Sequence, residues 1–280
     1  MTYVLWLVLG TAVLHAGWNA LAKSVGDRWV ASALIGVVNG LGGVVCIGFF
    51  GLPDPGAWPY LVASALLQAL YLLTLTSAYR HGDLSRLYPV MRGTAPVLVT
   101  AVSVLVLGER LSASAWLGLA VLVTGIGLLA VGRGLPRRGD GLGLAVLTGV
   151  LIASYTVSDG IGVRIGDEPL AYIGWMFALQ APVLLAVCCW QGGPGLPGRL
   201  RRHAVRGLVG GLLSVITYGI VVWAQSRAPL AIVSGLRETS VIWAVLIGRV
   251  FLGERLVARE VAAIVLACCG AVVLQFGGGA

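Results

Sequence analysis

The chain has 280 residues, of which 58% are hydrophobic and only 11% charged, with a formal net charge of +8. Soluble domains carry about 25% charged residues, so this composition excludes an ordinary water-soluble enzyme or binding domain and leaves material for apolar membrane helices and short loops. The positive excess suits loop arginines that orient a membrane chain, and no nucleic-acid partner is expected.

Apolar runs at about 2–22, 29–50, 57–79, 84–107, 114–132, 141–163, 169–190, 206–226, 229–252 and 257–276 predict ten transmembrane helices. Each is long enough to cross about 30 Å of hydrocarbon. Helix is the expected form, because backbone groups in lipid must be satisfied within their own segment. The first run lacks a basic leader and a cleavage site, so it is read as a span rather than a signal peptide. His15, Trp18 and Asn19 make an i, i+3, i+4 polar-aromatic stripe on it. The second run ends at Gly51-Leu52-Pro53-Asp54-Pro55, and the third carries Gln68 and Tyr71. The fourth holds a lone arginine, Arg92, one turn after Tyr88, together with Pro89, Gly93 and Pro96. Two prolines free backbone carbonyls, which predicts a bent or discontinuous helix.

The stretch 133–140, RGLPRRGD, is the most polar short linker between the halves. In the sixth run Tyr155, Ser158 and Asp159 repeat the stripe spacing of the first. The eighth carries Tyr218 and Trp223, and the ninth carries Ser234, Arg237 and Glu238. The five cysteines lie inside apolar runs and form no CxxC or Cys/His pattern. They are expected to pack as small apolar residues, with no metal, disulfide or cofactor.

One fixed offset superposes the halves. Arg92 falls on Arg237, Thr94 on Thr239, Gly125 on Gly270, and Gly108-Glu109-Arg110-Leu111 on Gly253-Glu254-Arg255-Leu256. That is the mark of a duplicated unit: 1–132 with spans one to five, the linker 133–140, and 141–280 with spans six to ten. Five is odd, so the second copy enters the membrane from the opposite side. The expected fold is an all-α membrane protein, ten helices as two inverted five-helix repeats around a central cavity. Glu109 and Glu254 are expected at the N-termini of spans five and ten, where a carboxylate meets the positive helix end.

Lys23, Arg28, Arg80, Arg86, Arg133, Arg137, Arg138, Arg255, Arg259 and the arginines of 199–206 fall on one face of this topology, against Arg110, Arg164 and Arg227 on the other. The positive-inside rule puts the richer face in the cytoplasm and both termini outside. The expected location is the cell (inner) membrane, as a multi-pass protein.

The segments LHAGWNALAK (14–23), AYRHGDLSRLYPVMRGTAP (78–96) and the two LGERL copies resemble the drug/metabolite transporter superfamily, specifically bacterial ten-span EamA-type carriers. The resemblance spans essentially the whole chain. It implies five plus five inverted helices around a cavity, alternating access and small-metabolite substrates. It also implies cytoplasmic termini, which the count of basic residues contradicts.

A charge at mid-membrane costs about 2.5–3.5 kcal/mol on insertion scales, so such residues face a cavity or a partner. Arg92 and Arg237 are the expected charge-binding pair. A guanidinium fork suits carboxylate, phosphate or phosphonate. Tyr88, His15, Trp18, Asn19, Tyr71, Tyr155, Asp159, Ser234, Glu238 and Tyr218 are the other candidate substrate-binding residues. The expected activity is secondary transport of a small anionic or zwitterionic metabolite, with protons as a candidate coupling ion and no enzymatic chemistry, by a monomer or homodimer in the lipid bilayer. The rival is a proton-coupled exporter of cationic drugs that uses Asp159 or Glu238. The bland alternative is two arginines neutralised by Glu238 or Asp159, serving only to hold helices together.

Overall fold

The computed structural model describes residues 2–81, 84–132, 141–243, 246 and 258–277. The apolar runs form helices, and no strand occurs among these residues. In chain order they are α1 (Thr2–Val25), α2 (Arg28–Phe50), a 3-10 turn (Pro55–Ala57), α3 (Trp58–His81), α4 (Leu84–Leu105), α5 (Ala113–Gly132), α6 (Leu142–Gly162), α7 (Pro169–Gly192), α8 (Leu196–Gln225), α9 (Leu230–Glu238) and α10 (Ala258–Gly277). Of these, α1, α2, α3, α6, α7, α8 and α10 are long and apolar enough to cross a membrane. Helices α4 and α5 add the shorter apolar stretches Val90–Leu105 and Ala113–Leu128. The linker 133–140 and the second LGERL copy, 252–256, lie outside the described residues.

Polarity is inside-out, as a lipid solvent demands. Leu41, Val44, Val45, Leu66, Leu70, Val265 and Val272 are exposed, while Arg92, Arg237, Glu238 and Asp159 are buried. Local chemistry sets the helix ends. Asp27 caps α2 by accepting from the N–H groups of Trp29 and Val30 at 3.0 and 3.3 Å. Gly51 closes the same helix with φ 72°, a left-handed φ that glycine adopts without a Cβ penalty.

Side-chain contacts sort the helix ends onto two faces. On one, Arg206 donates to the Ser24 carbonyl at 3.1 Å and Arg199 pairs with Asp27 at 3.5 Å, so the end of α1 meets the start of α8. Gly141, at the start of α6, lies on this arginine face against Ala78 and His81. On the other face, the ring of Tyr3 is 6.4 Å from that of Trp223, and Trp6 is 6.4 Å from Phe276. Both described ends of the chain lie there, and α1 and α6 run in opposite directions.

The helix pairs come in matched sets. Helix α3 packs on α6 as α8 packs on α1; α4 packs on α6 as α9 packs on α1; α2 meets α7, α5 meets α10 and α4 meets α9. The α5–α10 contact is reciprocal at the residue level. A Cβ on Gly270 would sit 2.3 Å from the Leu122 nitrogen, and one on Gly125 would sit 2.6 Å from the Ala267 nitrogen. Leu122 and Ala267 are related by the same sequence offset as the two glycines, so one surface is used twice, as in a two-fold interface.

Three expectations are corrected. Helix α8 begins at Leu196, well before residue 206, because the charged turn Arg199–Arg202 continues the helix beyond the apolar run. Helix α4 is unbroken through Pro89 and Pro96. The interruption falls in the ninth span, where Pro229 and Gly235 give the weaker sequence signal for a break, but at neither of those residues. There α9 stops at Glu238, the Thr239 hydroxyl and N–H both bond the Leu236 carbonyl, at 2.7 and 3.1 Å, and helix resumes over 240–243. Finally, Glu109 does not cap α5, where the Ser112 hydroxyl accepts from the Ala115 N–H at 3.1 Å. Its carboxylate caps α9 by accepting from the Leu230 N–H at 2.9 Å, takes a hydrogen bond from Ser103, and pairs with Arg164 at 2.8 Å. Arg164 also donates to the carbonyls of Gln225 at 2.7 Å and Ala228 at 2.9 Å. This cluster ties three loops together on the face that holds the chain ends.

Candidate functional site

Helices α4 and α9 are counterparts in the repeat, and they pack on each other. That contact brings Arg92 and Arg237 to one carboxylate, Glu238. Arg92 Nη1 donates to Glu238 Oε1 at 3.3 Å, and its Nε lies 3.2 Å from Oε2. Arg237 donates to Oε1 from Nε at 3.4 Å and from Nη2 at 3.3 Å. All three groups are buried: Arg92 is 6% exposed, Arg237 2% and Glu238 0%. Two guanidinium cations thus share one carboxylate, and the Asp159 carboxylate lies within the field of Arg237.

The remaining donors fan out to other helices. Arg92 Nη2 reaches His15 Nε2 on α1 at 2.7 Å and donates to the Ser240 hydroxyl at 3.0 Å. Arg237 Nη1 donates to Thr156 on α6 at 3.4 Å. Trp18 stands edge-on to His15 with ring centroids 5.1 Å apart. The break at Thr239 follows Glu238 directly and lets Ser240 turn back toward Arg92.

A second polar cluster lies further along α6. Asp159 Oδ1 accepts from Tyr172 at 3.1 Å and Oδ2 from Tyr218 at 2.5 Å. Ser64 also bonds this carboxylate and accepts from Gln180 at 3.3 Å. Tyr155 stands between the clusters, within the fields of Arg92, Arg237, Glu238 and Asp159. Its ring is 5.8 Å from that of Tyr71 and 6.1 Å from that of Tyr218. Four helices thus contribute to one polar-aromatic interior.

The structure therefore gathers His15, Trp18, Arg92, Arg237 and Glu238 in one place, and Tyr71, Tyr155, Asp159 and Tyr218 beside it. Asn19 turns its amide back onto the His15 carbonyl at 2.7 Å, within its own helix. The hydroxyl of Ser234 is buried without a hydrogen-bond partner among the described residues. The Tyr88 side chain lies outside the described residues. Trp223 lies under Arg227, whose guanidinium carbon is 5.7 Å from the ring centroid. Sequence reasoning missed Thr156, Ser240, Tyr172 and Ser64. Two of them had a local signal: Thr156 is one turn before Asp159, and Ser240 is one turn after Arg237.

Two segments, 2–131 and 140–276, each match the EamA-like transporter family. A search of curated proteins returns no match. One solved structure, titled only "Crystal structure of protein", is similar over 97% of this chain and 98% of its own, with a TM-score of 0.75 and 20% identity. A likeness at that identity concerns the fold alone. The match over both halves of a duplicated, helical, membrane-embedded chain places it in the EamA-like transporter family.

Proposed function

We propose that the chain is a secondary carrier of a small anionic or zwitterionic metabolite, of amino acid, organophosphate or phosphonate type, and that it works by alternating access. The observation that carries this reading is the meeting of Arg92 and Arg237, one from each half, at the single carboxylate of Glu238. Two planar guanidinium forks, one from each half, are the donor set that a carboxylate or phosphate of a substrate would engage in a fixed geometry. His15, Trp18, Tyr155 and Ser234 would shape the central cavity around it. The opposite directions of α1 and α6 and the matched helix pairs support an inverted-topology repeat, whose halves would rock about this site.

The test is uptake of anionic and zwitterionic metabolites into proteoliposomes. Arg92→Ala and Arg237→Ala should each abolish uptake while leaving monodisperse protein. Lysine at either position should restore little, because an ammonium lacks the planar fork. Normal uptake by both alanine variants would exclude the assignment.

A cation exporter would need a carboxylate open to its substrate. Glu238 is engaged by two guanidinium groups, so that reading falls to Asp159 alone. Resistance to cationic dyes that is lost in Asp159→Asn and kept in Arg92→Ala would favour it. For orientation, we infer that the arginine face is cytoplasmic and both chain ends are outside. Reporter fusions at the two ends should then read as external.

A further inference from the structure

The charged start of α8 is unused by the transport reading, and its surface is specific. Arg201 and Arg202 are exposed and make no hydrogen bond or ion pair with the described residues. Their neighbours are committed: Arg199 pairs with Asp27, and Arg206 donates to the Ser24 carbonyl. Below Arg201, on the same helix face, run Val205, Leu208, Leu212 and Ile216, exposed by 75%, 51%, 56% and 40%. Their spacing from Arg201 is i+4, i+7, i+11 and i+15, which is one stripe of a helix. Trp190, at the end of α7 on the same face of the molecule, is 74% exposed, and exposed tryptophans mark the headgroup level of a bilayer.

We propose that Arg201 and Arg202 form a binding site for the phosphate of an anionic phospholipid, whose acyl chain lies along the stripe from Val205 to Ile216. Charge and shape both select this occupant. Two adjacent guanidinium groups attract a net negative headgroup. A zwitterionic headgroup brings its own cation and gains less. The apolar stripe directly beneath the arginines gives a tethered chain a place that free phosphate cannot use. The continuous helix from Leu196 holds charge and stripe in fixed register.

The test uses the purified full chain in non-ionic detergent, with short-chain phosphatidylglycerol, phosphatidylcholine of equal chain length, and inorganic phosphate as probes. Bound lipid is read by native mass spectrometry. The wild type should retain phosphatidylglycerol over phosphatidylcholine. The Arg201→Gln/Arg202→Gln variant should lose that preference by about fivefold per arginine, the equivalent of roughly 1 kcal/mol for each cation near a charged membrane surface. The variant should unfold at the wild-type temperature in lipid-free detergent, since neither side chain has a partner among the described residues. A second variant, Leu208→Gln/Leu212→Gln, should weaken retention of both lipids alike. The proposal is overturned if the wild type holds the two lipids equally, if the arginine variant keeps the preference, or if phosphate alone displaces bound phosphatidylglycerol at comparable concentration. None of these outcomes depends on the anion-carrier reading, which the Arg92 and Arg237 variants test separately.

Discussion

At the residue scale the molecule is governed by what a buried charge requires. Glu238 is 0% exposed and serves two cations at once. Glu238→Ala would leave both guanidinium groups without their counter-ion, and breaking a buried ion pair costs roughly 3–5 kcal/mol. The expected result is a large fall in the detergent unfolding temperature, with Glu238→Gln milder because its amide oxygen can still accept. Asp159 has the opposite design: hydroxyl donors hold it. Tyr218→Phe removes the 2.5 Å bond and should cost about 1–3 kcal/mol by leaving a buried acceptor short of a partner. A thermal melt of the variant against wild type checks this, and an unchanged midpoint would mean that another donor takes over. The two arginines were legible in the sequence because a guanidinium in an apolar run is expensive and must have a reason. Tyr172 and Ser64 were not, since a partner on another helix leaves no periodic trace around Asp159.

At the element scale, helix length and direction follow from hydrophobicity, while helix ends and breaks follow from particular side chains. The apolar runs placed most helices within a few residues. They misplaced the start of α8, because a window that counts apolar residues is blind to a helix that continues through arginines. The prolines of α4 are the stronger signal for a discontinuity and Pro229 and Gly235 of the ninth span the weaker, yet the break lies in the ninth span, after Glu238, at a threonine that bonds its own helix. Proximity in sequence places Glu109 at the start of α5, whereas it caps a helix far along the chain. Close packing of α5 on α10 rests on missing side chains. Gly270→Val should force the helices apart at Leu122 and cost about 1–3 kcal/mol as overpacking does. Gly125→Val should cost a similar amount, because the contact is reciprocal. Unequal melts for the two variants would argue against a shared interface geometry.

At the scale of the whole molecule, the duplication visible in the sequence reappears as matched helix pairs, and the polar interior forms where the two copies meet. Labelling of single cysteines at position 201 and near residue 3 by an impermeant reagent should give opposite accessibility in sealed vesicles, since these sites lie on opposite faces. The Arg164–Glu109 cluster has a consequence of its own. Its bonds share one carboxylate and one guanidinium, so they cannot be surrendered singly: parting the loops at 103–109, 164 and 225–230 means rehydrating both ions together. That rim should behave as a latch with a threshold. Hydrogen exchange at the Leu230 amide should therefore be slow and rise in concert with its neighbours when Glu109→Gln takes the charge out of the latch.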